Sequence, residues 1–363
     1  MWDVFLISGT QNIPQVDKYC INVSKMDKLL ALHQKIVPEI IPILLTRYQI
    51  LRSIRYLQPI GRRALAEQLQ LQERKIRNEV DFLREQQLIQ SNVSGMSVTV
   101  EGEQLLWDLE GYIREIQGLK DLEEQISQLY SIKRVIVVPG NVDEDPNVKK
   151  DLSRVTADYL NKHLRDDSIL AVTGGTTLAE VASMLTPPAV KRDITVIPAR
   201  GGLGEEVEIQ ANTVAANIAK GLGASYRLLH VPDDLQAETM QSILNEPKIK
   251  EVLELLKKAD IILHGIGSAE EMARRRGMSP EDIKNLVGKG AVGEAFGYYF
   301  DQEGNLIHIT SSVGLQLSDL HLAQVMTVVG GRSKGLAVKA VLLNSSRDIL
   351  IIDEGAARVI LKG

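Results

Sequence analysis

The sequence predicts an α/β chain of two domains, an N-terminal winged helix-turn-helix and a larger doubly wound, Rossmann-like domain. Three observations predict it. At 363 residues the chain exceeds what one hydrophobic core usually holds. Residues 44–100 read as helix, helix, helix, hairpin, which is the winged-helix order. Beyond Ser131, apolar β-branched runs alternate with helical stretches, the pattern of a mostly parallel sheet covered on both faces.

Composition narrows the class further. Hydrophobic residues at 44% and charged residues at 25% are a globular balance. No segment approaches the ~20 apolar residues of a membrane span. Val4 to Ile7 is too short for an export-signal core and has no basic cluster before it, so a cytoplasmic protein is expected. Cys20 is the single cysteine and the six histidines lack ligand spacing, which leaves no metal site to expect.

Met1 to Lys25 show no sustained periodicity and read as a disordered tail or a mis-assigned start, with a DNA-binding domain over residues 26–101. Its first helix spans Leu44 to Leu57, with Leu44, Tyr48, Leu51 and Ile54 at helical spacing. Gly61 interrupts, and a second helix covers Arg62 to Leu69. After Gln70-Leu71-Gln72 comes a third, Glu73 to Gln86, which buries Ile76, Val80 and Leu83 and turns Arg74, Lys75, Arg77, Asn78 and Asp81 outward. Strands Leu88 to Ser91 and Met96 to Val100 flank the turn Asn92 to Gly95. Net charge is −5, but residues 43–90 carry nine basic against five acidic side chains. A basic module on an acidic body suits a reader of double-stranded DNA, although a solvated charged face gives the same count. Arg74, Lys75, Arg77 and Asn78 would then enter the major groove, with Arg62 and Arg63 on phosphates.

Residues 102–130 read as one long helix striped by Leu105, Leu109, Tyr112, Ile116, Leu119, Leu122, Ile126 and Leu129. Such a stripe either pairs with a second copy, giving a homo-oligomer (dimer or tetramer), or packs on the chain's own second domain. Gly111 and Gly118 would each cost about 1 kcal/mol inside it.

The second domain, 131–363, is expected to place strands at Val135–Val138, Ile169–Val172, Ile194–Ile197, Tyr226–His230, Ile261–His264, Val325–Val329 and Ile349–Ile352. Ligands in such sheets sit at the carboxyl ends of strands. Four glycine-bearing loops leave strand ends. Thr173-Gly174-Gly175-Thr176-Thr177 joins a strand to a helix, where glycines admit an anion and free N–H groups hold it. It matches neither a Walker A loop nor the dinucleotide fingerprint. Pro198-Ala199-Arg200-Gly201-Gly202-Leu203-Gly204 adds an arginine, Gly265-Ile266-Gly267-Ser268 follows, and Val329-Gly330-Gly331-Arg332-Ser333-Lys334 completes the set. Any one is an ordinary turn. Together with Arg200, Arg332 and Lys334 they point to one small oxygenated anion, a sugar phosphate. Arg274-Arg275-Arg276 is a solvated run from which one side chain is free to point inward, Gln210 and Glu294 suit sugar hydroxyls, and Asp353 is expected to cap a helix.

The stretches Glu39 to Leu57, Pro59 to Arg63, Val172 to Thr177, Pro198 to Glu205, His264 to Gly267 and Glu294 to Phe300 together resemble the SorC/DeoR-like transcriptional regulators from about Met26 onward. Among these the chain is most similar to those controlling central glycolytic genes. The resemblance implies a repressor of the operon for glyceraldehyde-3-phosphate dehydrogenase and the following lower-glycolysis enzymes. It implies a domain similar to sugar-phosphate isomerases and deaminases, with fructose 1,6-bisphosphate as effector and no cofactor. By the same resemblance the ligand contacts fall on Thr176, Thr177, Arg200, Gln210, Arg275, Glu294 and Lys334. Gln72 departs from the pattern, since relatives place a serine at that cap, and Met1 to Lys25 are extra. An isomerase-like enzyme with Glu294 as base is the alternative; a basic helix-turn-helix has no use there, so no catalysis is expected.

Overall fold

The computed structural model describes residues 35–190, 192–201, 206–232, 237–310, 312–344 and 348–362; Met1 to Lys25 lie outside them. The chain divides into two units between Ile116 and Gln117.

The first unit runs α1 (Ile40–Leu57), α2 (Arg62–Leu69), α3 (Glu73–Glu85), β1 (Ile89–Asn92), β2 (Gly95–Val98) and α4 (Val100–Ile116). The three apolar residues spaced along α3, Ile76, Val80 and Leu83, pack with Ile50 and Ile54 of α1 and Leu65 of α2. Each such burial contributes ~1.5–3 kcal/mol, which holds three short helices that would not form alone. Gln72 starts α3 without a side-chain cap, and Glu73 in the first turn gives the helix dipole its complement instead. Asn92 Oδ1 accepts the N–H groups of Ser94 (3.0 Å) and Gly95 (3.1 Å), which closes the hairpin between β1 and β2.

The second unit begins with α5 (Leu119–Tyr130). There follow β3 (Arg134–Val138), α6 (Asn147–His163), β4 (Ile169–Val172), α7 (Thr176–Met184), β5 (Thr195–Pro198), α8 (Ala211–Leu222), β6 (Ser225–Tyr226), α9 (Ala237–Asn245), α10 (Pro247–Leu256) and β7 (Ile261–His264). A further segment, β8 (Gly267–Ser268), α11 (Ala269–Arg275), α12 (Pro280–Gly288), β9 (Gly293–Ala295), β10 (Tyr298–Phe300) and β11 (Leu306–Ile309), precedes β12 (Gln324–Val329), α13 (Gly335–Asn344), β13 (Ile349–Asp353) and α14 (Glu354–Leu361).

Seven strands form one parallel sheet in the order β3-β13-β12-β7-β4-β5-β6. Its strands are apolar runs because both faces are covered: α6, α7 and α8 supply Leu152, Leu178 and Val214 to one face, while α5, α13 and α14 supply Ile126, Val338 and Ile360 to the other. From β4 the chain winds to one edge through β5 and β6, then returns at β7 and winds to the other. The reversal puts a crevice between the carboxyl ends of β4 and β7. Strands β8 to β11 form a separate antiparallel sheet standing over that crevice.

Two expectations are corrected. The long helix over 102–130 is two helices, broken where Gly118 takes φ +65, a left-handed turn that glycine adopts without strain. Leu119, Leu122 and Ile126 then bury against Val135 and Val137 of the chain's own sheet, so that half of the stripe serves this core. The strand expected over Tyr226–His230 ends at Tyr226, because Asn212 takes over the pairing: its Oδ1 accepts the Leu229 N–H (2.9 Å) and its amide donates to the Leu229 carbonyl (3.1 Å).

Candidate functional site

The crevice is a cleft of about 1020 Å³ including its open mouth, ample for a small ligand. Ten of the eleven residues singled out for the ligand line it: Gly174, Gly175, Thr176, Thr177, Arg200, Gly201, Gln210, Arg275, Glu294 and Lys334. They come from loops after β4, β5, β7 and β12, because parallel strands deliver their following loops to one edge. Gly202 to Glu205 lie outside the described residues.

The floor is the β4–α7 turn. Gly174 is packed so that a Cβ would collide with the Ile209 carbonyl, which accepts the Gly175 N–H at 2.8 Å. Gly175 has φ +124 and open space where a side chain would stand. The first N–H groups of α7 and the hydroxyls of Thr176 and Thr177 are thereby presented to the cleft, an anion cradle with the positive end of a helix dipole behind it. Beneath the β7 end, the Gly265 carbonyl can only accept from His264 Nδ1 (2.9 Å), so Nε2 takes the proton of Thr327 Oγ1 (2.7 Å). This buried pair locks β7 to β12 under the floor.

The opposite wall is cationic. Arg200 is 6% exposed, hydrogen-bonds Ser312 Oγ, and lays its guanidinium over Gly297. Its backbone bridges Gly314 and the Gly201 N–H donates to Val313 (2.9 Å), which fixes where the side chain begins. The arginine triplet splits three ways: Arg274 is exposed and pairs Glu270, Arg275 is half-buried and pairs Glu271 (3.0 Å), and Arg276 is buried and pairs Glu294 (2.9 Å). Arg275 and Arg276 both line the cleft. The inward arginine is thus more than the one assigned from the resemblance. Four cations (Arg200, Arg275, Arg276, Lys334) stand against two carboxylates (Glu271, Glu294) in the lining, a net of +2.

Gly330 and Arg332 do not join. The Gly330 backbone crosses Leu152 and Val142, whose methyls lie 2.6 and 2.7 Å from where its Cβ would be, so this glycine serves packing. Arg332 is exposed and faces Glu144 at 3.6 Å. Asp353 caps α14 by accepting from Ala356 N–H (2.8 Å) and also takes the N–H groups of Val142 and Gly331; burial pushes its carboxyl above the ordinary range. Phe296 and Glu271 line the cleft too, and no local sequence signal marked either.

In the first unit, Arg62, Arg63, Arg74, Lys75, Arg77 and Asn78 are all exposed on α2 and α3. The nine basic residues are not all available there. Arg47 pairs Glu79 (2.7 Å) and lies over Phe82, Arg52 is 7% exposed, and Arg55 pairs Glu103 (3.0 Å). The exposed remainder is concentrated on the helix-turn-helix, where Arg77 is only loosely tied to Glu73 (3.8 Å) and Arg63 to Glu67 (3.4 Å). Such surface pairs are worth ~0–1 kcal/mol and yield readily to a phosphate or a base.

Residues 114–362 match the family model described as "Putative sugar-binding domain", and residues 43–113 match that of the "CggR N-terminal DNA binding domain". The chain is 46% identical to the central glycolytic genes regulator of Priestia megaterium and 41% identical to that of Bacillus subtilis, covering 93% of this chain and 99% of each relative. The crystal structure of a "putative SorC family transcriptional regulator from Enterococcus faecalis" superposes with a TM-score of 0.62 at 40% identity, over 66% of this chain and 99% of that one. The full-length sorbitol operon regulator SorC of Klebsiella pneumoniae shares the fold over 94% of this chain and 99% of its own, with a TM-score of 0.61 at 17% identity.

Proposed function

The chain belongs to the SorC/DeoR-like family of DNA-binding, sugar-binding transcriptional regulators, and from that premise we propose that it represses a glycolytic operon and leaves its operator when fructose 1,6-bisphosphate fills the cleft. The operon in this reading encodes glyceraldehyde-3-phosphate dehydrogenase and the lower-glycolysis enzymes that follow it. The name shared by the Priestia and Bacillus relatives supports the choice of genes.

The observation that carries the ligand is the cleft's division into a dipole-backed cradle and a separate cationic wall with a net of +2. One phosphate rests on Gly175, Thr176, Thr177 and Lys334, and the other faces Arg200 and Arg275. Gln210 and Glu294 take hydroxyls. A monophosphate would leave one cationic group without a counter-charge, which favours a bisphosphate. Thermal melting of the full chain with fructose 1,6-bisphosphate, fructose 6-phosphate, glucose 6-phosphate and inorganic phosphate tests this, since each ligand stabilises by RT ln(1 + [L]/Kd). The bisphosphate should give the largest shift at equal concentration; a larger shift with either monophosphate sinks the assignment.

On the DNA side, Arg74, Arg77 and Asn78 read bases while Arg62, Arg63 and Lys75 hold phosphates. Arg77→Ala should cost about 1–3 kcal/mol on the preferred site and relax one base position, whereas Arg63→Ala should weaken all sequences alike and lower the salt slope by about 1. Equal losses on specific and random DNA for Arg77→Ala would remove it from the reading set. Two half-sites call for a homo-oligomer, dimer or tetramer, and sedimentation of the full chain checks it: a monomer at micromolar concentration contradicts it.

A further inference from the structure

An acidic side chain inside an anion-binding cleft needs a reason, because a carboxylate repels the phosphate that the rest of the lining attracts. Glu294 is such a residue: it lines the cleft and its side chain is 5% exposed. Its Oε1 takes both internal bonds, one from Arg276 Nη2 at 2.9 Å and one from the Gly297 N–H. Those two donors fix the carboxylate by one oxygen and leave Oε2 as the acceptor it can offer a ligand.

Arg276 is equally constrained. Helix α11 ends at Arg275, and Arg276 follows at φ −81 and ψ 5, which drops its side chain to 4% exposure while Arg274 stays 67% exposed. Glu294 on β9 stands opposite Tyr299 on β10. The Tyr299 hydroxyl, buried and pushed up to about 12 by that burial and by the Glu294 charge, shares hydrogen bonds with Arg276 and Thr310 and stays a phenol. The Arg276 fork is therefore engaged by Glu294 and Tyr299, whereas Arg200 and Arg275 stand on the same wall with Ser312 and the half-buried Glu271 as their recorded partners.

We infer that Arg276 is a positioning residue that neutralises Glu294 and aims its second oxygen at sugar hydroxyls, so that the pair selects a polyhydroxylated phosphate ester over a bare or deoxygenated one. The inference rests on the sugar-phosphate reading of the cleft. A site built to accept hydroxyl protons rejects an analogue without them, because the buried carboxylate is then left unpaired. Arg276 supplies what makes that carboxylate tolerable beside an anion, and Arg275 and Arg200 grip phosphate.

Calorimetry on the full chain separates the roles, with fructose 1,6-bisphosphate and hexane-1,6-diol bisphosphate as probes; the second has two phosphates and no hydroxyls. Wild type should prefer the sugar by at least about 100-fold. Arg276→Met should weaken the sugar by about 30-fold or more and the diol ester by no more than about 3-fold, which collapses the preference. Arg276→Lys should restore part of it. Should Arg276→Met prove unstable by melting, Arg276→Met with Glu294→Gln removes the orphaned charge and keeps an acceptor oxygen; it should fold and hold an intermediate preference. Equal weakening of both probes in the variants would make Arg276 a phosphate contact and overturn the inference alone. Failure of the wild type to bind either probe would instead defeat the reading on which it rests.

Discussion

Arg200→Ala is expected to raise the concentration of fructose 1,6-bisphosphate needed for half-release of DNA by about 100-fold, the ~3 kcal/mol of two charge-assisted hydrogen bonds. The residue is 6% exposed and its backbone is fixed by the bridge to Gly314, so the guanidinium is already placed and little ordering is lost on binding. Lysine is a poor replacement, since a point charge lacks the fork that meets a phosphate at two oxygens. DNA affinity without ligand should stay within about 2-fold, because Arg200 belongs to the unit that does not carry α3. Fluorescence anisotropy on labelled DNA reads both quantities. An unchanged midpoint in Arg200→Ala would mean that the second phosphate lies elsewhere in the cleft.

Gly174→Ala should be nearly as damaging by a different route. The added methyl would collide with the Ile209 carbonyl and come within 3.0 Å of the Ala211 N–H. Both are backbone, so no rotamer relieves the contact; the turn must shift, and with it the Gly175 N–H bond to Ile209 and the start of α7. Overpacking of this kind costs about 1–3 kcal/mol, and a displaced cradle should cut effector affinity by about 100-fold. Gly111→Ala is the control. Gly111 sits inside α4 with open space around it, and the change should stabilise by about 0.5–1 kcal/mol with effector affinity untouched. Calorimetric affinity for Gly174→Ala equal to wild type would show that the turn does not cradle the ligand.

What the sequence disclosed follows from how each feature is encoded. Ile169–Val172 and Ile261–His264 are buried on both faces, so their strands are unbroken apolar runs with matching ends. The glycines after them mark the cleft because only close backbone approach uses them there. By contrast β8, β9 and β10 are two or three residues long, too short for any alternation to register. Arg276 was hidden in a triplet whose members look alike in sequence; only the end of α11 and the position of Glu294 across the sheet set them apart. Gly330 looked like its neighbours at strand ends, yet the residues that require its missing Cβ, Leu152 and Val142, are far away in the chain. The charge count over residues 43–90 included Arg47 and Arg55, whose partners Glu79 and Glu103 are 32 and 48 residues downstream.

The central claim is that one ligand in the cleft changes the grip on DNA. The most direct measurement is the affinity of the full chain for a DNA fragment it selects from random sequence, with fructose 1,6-bisphosphate absent and then saturating by calorimetry. The account predicts a weakening of about 5- to 150-fold, the range of an allosteric coupling of ~1–3 kcal/mol, with the reciprocal loss of ligand affinity when DNA is bound. Saturation of the cleft with DNA affinity unchanged would contradict it.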